Sequence, residues 1–188
     1  MPKHSAEPMA PAGGTPACLF SRHAESSVVV HAAPAPVFAF LDTHENIAAH
    51  MSRPSWATLG GTMTTTVDPL AGKEVGSVIR IEGKVLGISI WLAEKIVQRT
   101  PPHCKRWETF GTPRLLVIGG YRMGFDIEPA SRGSRLTVAI DYALPSAWPG
   151  AWLGRLLGPA YARWCVQRII DAATKLAGDR WVVENKAA

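Results

Sequence analysis

Two consecutive segments on either side of Ser131 carry large apolar side chains at every second position, and no other feature narrows the possible folds so much. Tyr121, Met123, Phe125 and Ile127 fall on one side of an extended backbone, against Arg122, Gly124, Asp126 and Glu128 on the other. Leu136, Val138, Ile140, Tyr142 and Leu144 likewise oppose Thr137, Ala139 and Asp141. Successive side chains of a strand point to opposite faces, so this pattern predicts antiparallel strands with one buried and one wet face.

Such a half-buried sheet needs a partner layer, and the end of the chain supplies one. Ala162, Cys165, Ile169, Ala172 and Leu176 recur at alternating spacings of three and four, flanked by Val166, Ile170 and Ala173. Arg163, Gln167, Arg168, Asp171, Thr174 and Lys175 take the other side, which predicts an amphipathic helix over Pro159–Ala177. Upstream the stripe changes sides. In one unbroken helix, Leu153, Leu156 and Leu157 would project with Trp164 onto the polar face. Proline costs a helix interior about 3 kcal/mol, so a break is expected at Gly158-Pro159, leaving residues 148–157 as a separate apolar loop or short helix.

The rest of the chain reads as strands and turns. Ser26–Ala32 is a β-branched run that suits a first strand. A short helix is expected from about Pro36, because proline is tolerated in a first turn. A second is expected over Thr43–His50, with Asp42 and Glu45 spaced as a capping box. Further strands are predicted over Trp56–Val67, Gly76–Lys84, Gly87–Arg99, His103–Phe110, Gly119–Pro129 and Ser134–Leu144, bounded by Pro and Gly turns that include Pro101-Pro102 and Pro113. Residues 1–25, rich in Ala, Pro and Gly, lack the apolar stretch of a secretory signal and are expected to be a disordered leader. The ordered domain is then 26–177, with 178–188 as a tail.

Composition excludes several classes. The chain has 188 residues, 47% apolar, with mean hydropathy +0.05, which is enough for one sizeable core. Lys plus Arg total 20 against 15 Asp plus Glu, a net charge of +5. Residues 149–188 hold six basic and three acidic residues, and no basic stripe is interleaved with aromatics, so no nucleic-acid partner is expected. Cys18, Cys104 and Cys165 are too few and too scattered for a disulfide framework, and a cytoplasmic setting is expected.

A strand, two short helices, six antiparallel strands and a long C-terminal helix make the helix-grip order of an α+β fold. The run Val28-Val29-Val30-His31-Ala32-Ala33-Pro34-Ala35-Pro36-Val37-Phe38-Ala39-Phe40-Leu41-Asp42 resembles the opening of the SRPBCC superfamily, the START and Bet v 1-like domains that include polyketide cyclases and lipid-binding proteins. Trp91–Pro102 is similar to that superfamily's long strand ending in a proline turn, and the resemblance spans about Ser26–Ala177. It implies a curved seven-stranded sheet gripping the long helix around a cavity for an apolar small molecule, lipid or polyketide-like. On the strand parity, Tyr121, Met123, Phe125, Ile140 and Tyr142 then point inward, with Tyr161 and Cys165 from the helix and Trp56, Met63 and Trp107 completing the wall. The apolar segment with Trp148, Trp152, Leu153, Leu156 and Leu157 has three open roles: a lid, a peripheral contact with a membrane surface or a partner, or folding back onto the domain.

No catalytic motif is present. The histidines lack metal-ligand spacing, and no phosphate-binding or dinucleotide-binding glycine loop precedes a helix, so neither metal nor cofactor is implied. Gly119–Gly124 lies between strands and reads as a turn and bulge. A polyketide cyclase or aromatase would need a proton carrier in the cavity, for which His50, Arg80, Glu82, Glu108 and Arg122 are the candidates by residue type. None matches a family catalytic position, so the catalytic residues stay unassigned, as does the oligomeric state.

Overall fold

A computed structural model of the chain describes residues 20–48, 63–85, 87–146 and 150–186. Seven strands form one antiparallel sheet: β1 (Arg22–Val30), β2 (Met63–Val67), β3 (Val78–Val85), β4 (Ile88–Thr100), β5 (Cys104–Arg114), β6 (Tyr121–Ala130) and β7 (Gly133–Tyr142), in the order β1-β7-β6-β5-β4-β3-β2. Helices α1 (Pro34–Asp42) and α2 (His44–Ala48) follow β1, and α3 (Gly150–Lys186) closes the fold. The helix-grip order expected from the sequence is the one observed. Among the described residues no helix is long and apolar enough to cross a membrane.

The late alternation sets the core. Met123, Phe125, Ile127, Leu136, Val138, Ile140 and Tyr142 are all buried on one sheet face. Val37, Phe38 and Leu41 of α1 and Ala162, Val166, Ile169, Ile170 and Ala173 of α3 cover them. Burying side chains of this size stabilises by about 1.5–3 kcal/mol each. The outer face carries ion pairs instead: Arg106 to Asp126 at 2.7 Å and Arg122 to Glu108 at 2.8 Å.

Several boundaries differ from the sequence expectation, each for a physical reason. Strand β1 begins at Arg22 rather than Ser26, because Arg22–Ala24 pair with Ile140–Tyr142 of β7. Pro113 does not end β5, which runs to Arg114. Beyond Glu108 the strand has left its register with β6 and pairs only with β4, and proline is tolerated where one edge needs no donor. Asp42 is not a helix cap: both its oxygens accept from Arg99, at 3.0 and 2.8 Å, and one accepts from Lys105 at 2.9 Å.

The largest correction is α3. No break occurs at Pro159, residues 178–186 continue the helix rather than forming a tail, and residues 150–157 are its first turns. A glycine stripe accounts for the change of side of the apolar pattern. Gly150, Gly154 and Gly158, four apart, face inward, where their lack of a Cβ lets the helix backbone lie against Leu144, Pro145 and the 116–117 loop. A Cβ on Gly154 would sit 2.6 Å from Pro145 Cδ and 2.9 Å from the Val117 carbonyl oxygen. With that face given to glycine, Trp152, Leu156 and Leu157 point outward along a continuous helix.

Candidate functional site

Between the sheet and α3 lies a cavity of about 100 Å³. Strand register builds its floor. Trp107, Met123 and Ile140 are successive cross-strand partners on β5, β6 and β7, and all three line it. Tyr161, Trp164, Cys165 and Ile169 of α3 form the roof, and His44 and Ile47 of α2 close one side.

Seven residues expected in the wall do line it: Met63, Trp107, Tyr121, Met123, Ile140, Tyr161 and Cys165. Two others do not. Phe125 is fully buried core, set edge-on between Phe38 at 5.7 Å and Trp107 at 6.4 Å. Tyr142 is buried, with its ring edge packed under Gly158 of α3. Trp56 lies outside the described residues, as do His50 and Trp148. Arg80 and Glu82 are exposed on the outer sheet face, and Glu108 with Arg122 form the outer ion pair already noted. None of these four described polar candidates reaches the cavity.

A carboxyl that does reach it has no counterpart among the candidates expected from the sequence. Glu94 on β4 is 3% exposed and lines the cavity. Its signal was present: Ile90, Leu92, Glu94 and Ile96 share the buried parity of β4, so a carboxylate stands in an otherwise apolar row. Glu94 pairs with Thr109 on β5, and Thr109 Oγ1 accepts from the Tyr121 backbone N–H at 3.1 Å, so the three lie in one row. Along that row the Tyr121 hydroxyl donates to Glu94 Oε1.

Burial dominates the electrostatics here. It pushes the Glu94 carboxyl up to about 7, against hydrogen bonds from Tyr121 and Trp107 and the positive charge of Lys105. The Tyr121 hydroxyl is held well above its ordinary range by burial and by the Glu94 charge. Tyr161, one helical turn from Cys165, donates to its sulfur. The Cys165 charge and burial raise the Tyr161 hydroxyl, while burial pushes the Cys165 thiol up to about 12. Of Glu94, Tyr121, Tyr161 and Cys165, only the Glu94 carboxyl is brought near neutral pH. No cluster of metal-ligating side chains occurs among the described residues.

The family model for polyketide cyclase / dehydrase and lipid transport proteins matches residues 21–177. Solved structures share the architecture at low identity. Zhui aromatase/cyclase from Streptomyces sp. R1128 superposes with a TM-score of 0.62 at 15% identity, covering 85% of this chain and 94% of that one. A norcoclaurine synthase point mutant from Thalictrum flavum gives 0.59 at 13% identity, covering 85% and 95%. TTHA0849 from Thermus thermophilus gives 0.59 at 12% identity, covering 85% and 99%. No curated protein matches the sequence. With the matched segment running from the first strand well into the last helix, the chain belongs to the polyketide cyclase / dehydrase and lipid transport family of the SRPBCC superfamily.

Proposed function

We propose that this protein binds a small, largely apolar molecule in the cavity between sheet and α3, with the molecule's polar group directed at Glu94. The observation that supports this is an apolar enclosure carrying one buried carboxyl, already oriented by Tyr121. A volume of about 100 Å³ is below the roughly 300 Å³ at which pockets for drug-sized ligands begin. It is nearer the roughly 150 Å³ that admits a benzene ring. The ligand is therefore of single-ring or short-chain size in this conformation. The free thiols of Cys104 and Cys165 suit a reducing, cytoplasmic setting.

Native mass spectrometry of the purified protein, with calorimetric titration of benzene and indole, tests the reading. Wild type is expected to carry or take up such a compound, and Ile140→Trp, which fills the floor, to lose it. A wild-type protein that binds neither probe and yields nothing on solvent extraction overturns the proposal.

A second reading, a cyclase or aromatase type of enzyme, is favoured by the Glu94 carboxyl at about 7. A group poised near the working pH is what proton transfer needs. Glu94, as the carboxylate, would take the proton from a carbon next to a ligand carbonyl, leaving an enolate and a protonated Glu94 that returns the proton to the product. Glu94→Gln then abolishes turnover while leaving uptake of an apolar ring intact. Retained turnover in that variant rules Glu94 out as the proton carrier, and a wild type that turns over no such substrate rules the enzyme reading out and leaves the binding reading standing.

A further inference from the structure

The outward face of the first turns of α3 is apolar and cationic at once. Trp152, Leu156 and Leu157 are 62%, 63% and 45% exposed. Arg155 and Arg163 are exposed beside them, and Trp152, Leu156 and Arg163 fall on one side of the helix. From Gly150 to Ile170 the only charged residues are Arg155, Arg163 and Arg168, and the first turn of α3 holds no acidic residue. Among the described residues, no carboxylate pairs with Arg155 or Arg163. The helix N-terminus adds its own partial positive charge at the same end.

We infer that this face docks onto an anionic lipid surface, with Trp152, Leu156 and Leu157 entering the headgroup boundary and the arginines meeting lipid phosphates. Charge decides between occupants. An apolar protein partner would leave the unpaired arginines without counter-charges, whereas a negative bilayer takes both the Trp and Leu side chains and the guanidinium groups. The glycine stripe makes the arrangement possible, because it buries the helix through backbone contact and frees the large side chains for the outside.

Flotation with vesicles of phosphatidylcholine alone, and of phosphatidylcholine with phosphatidylglycerol, tests the inference. Wild type is expected to float with the anionic vesicles only, and less as salt rises. Trp152→Ser with Leu156→Ser should abolish flotation. Arg155→Gln with Arg163→Gln should weaken it about fivefold per arginine. Circular dichroism and thermal midpoints establish that the variants fold, and should the serine pair unfold, the arginine pair decides alone. Ile140→Trp should float like wild type, which separates this inference from the cavity reading. Equal flotation of wild type and all surface variants overturns it. So does a dimer that Trp152→Ser dissociates in a protein that binds no vesicles, since the face then belongs to a second copy of the chain.

Discussion

The carboxyl group of Glu94 loses its hydration inside the cavity, and the hydrogen bonds from Tyr121 and Trp107 restore only part of what the anion has lost. Its proton is therefore held in the folded state up to about 7, against an ordinary value of 4.5. Between those values the native state binds more protons than the unfolded state, so stability falls as pH rises through that window and levels off above it. The accumulated penalty is roughly 3 kcal/mol. Glu94→Gln carries no such penalty, so denaturation midpoints of the two proteins should diverge across that window, with wild type the less stable above it. Parallel curves would mean that the carboxyl is hydrated. At Asp42 the balance runs the other way. Burial raises it, but the hydrogen bonds and charges of Arg99 and Lys105 outweigh that and hold it below 3.8. Its contribution is present above the ordinary carboxylate value and lost as pH falls through the lowered one. Asp42→Asn leaves the Lys105 ammonium, 2% exposed, without its counter-charge. The cost expected is about 3–5 kcal/mol. Adding Lys105→Met should recover part of it in urea titrations, and a purely additive double variant would show that the pair is not coupled.

At the scale of elements, α3 shows what a hydrophobic stripe conceals. The stripe beyond Pro159 was legible because Ile, Val and Ala repeat at helical spacing there, although the buried centre lies at Val166, Ile169 and Ala173 rather than at Cys165 and Ala172. Before Pro159 the buried face is glycine, which carries no hydrophobic signal, so the visible periodicity belonged to the exposed side. Gly154→Ala tests this. Alanine favours a helix over glycine by about 1 kcal/mol, but its methyl group would meet Pro145 and the Val117 carbonyl inside ordinary contact distance. Overpacking of this kind costs about 1–3 kcal/mol. The variant should therefore unfold at lower urea than wild type, while Leu156→Ala, on the exposed face, should change little. A stabilised Gly154→Ala would show that α3 does not lie tightly on the loop. Strand β4 gives the matching lesson. Its inner parity is readable and Glu94 stands in that buried row, whereas Arg80, Glu82, Glu108 and Arg122, candidates by residue type, are exposed or ion-paired on the outer face.

For the whole molecule, the chain by itself determined the order of elements, the antiparallel sheet, which side of each late strand is buried and the presence of a covering helix. These follow from geometry local to each segment, because the direction of a side chain repeats every two residues in a strand and about every 3.6 in a helix. Seven of the cavity-facing side chains were legible from the same periods and the family resemblance, and ten others were not. The tertiary structure decided the rest. That Tyr121 reaches Glu94, that Asp42 meets Arg99 and Lys105, and that Phe125 and Tyr142 are core while Trp164 faces the cavity all depend on registers and approaches between distant segments. No local period records them. The continuity of α3 was decided in the same way, by close contact with a loop and a strand end that the helix meets only once the sheet has closed beneath it.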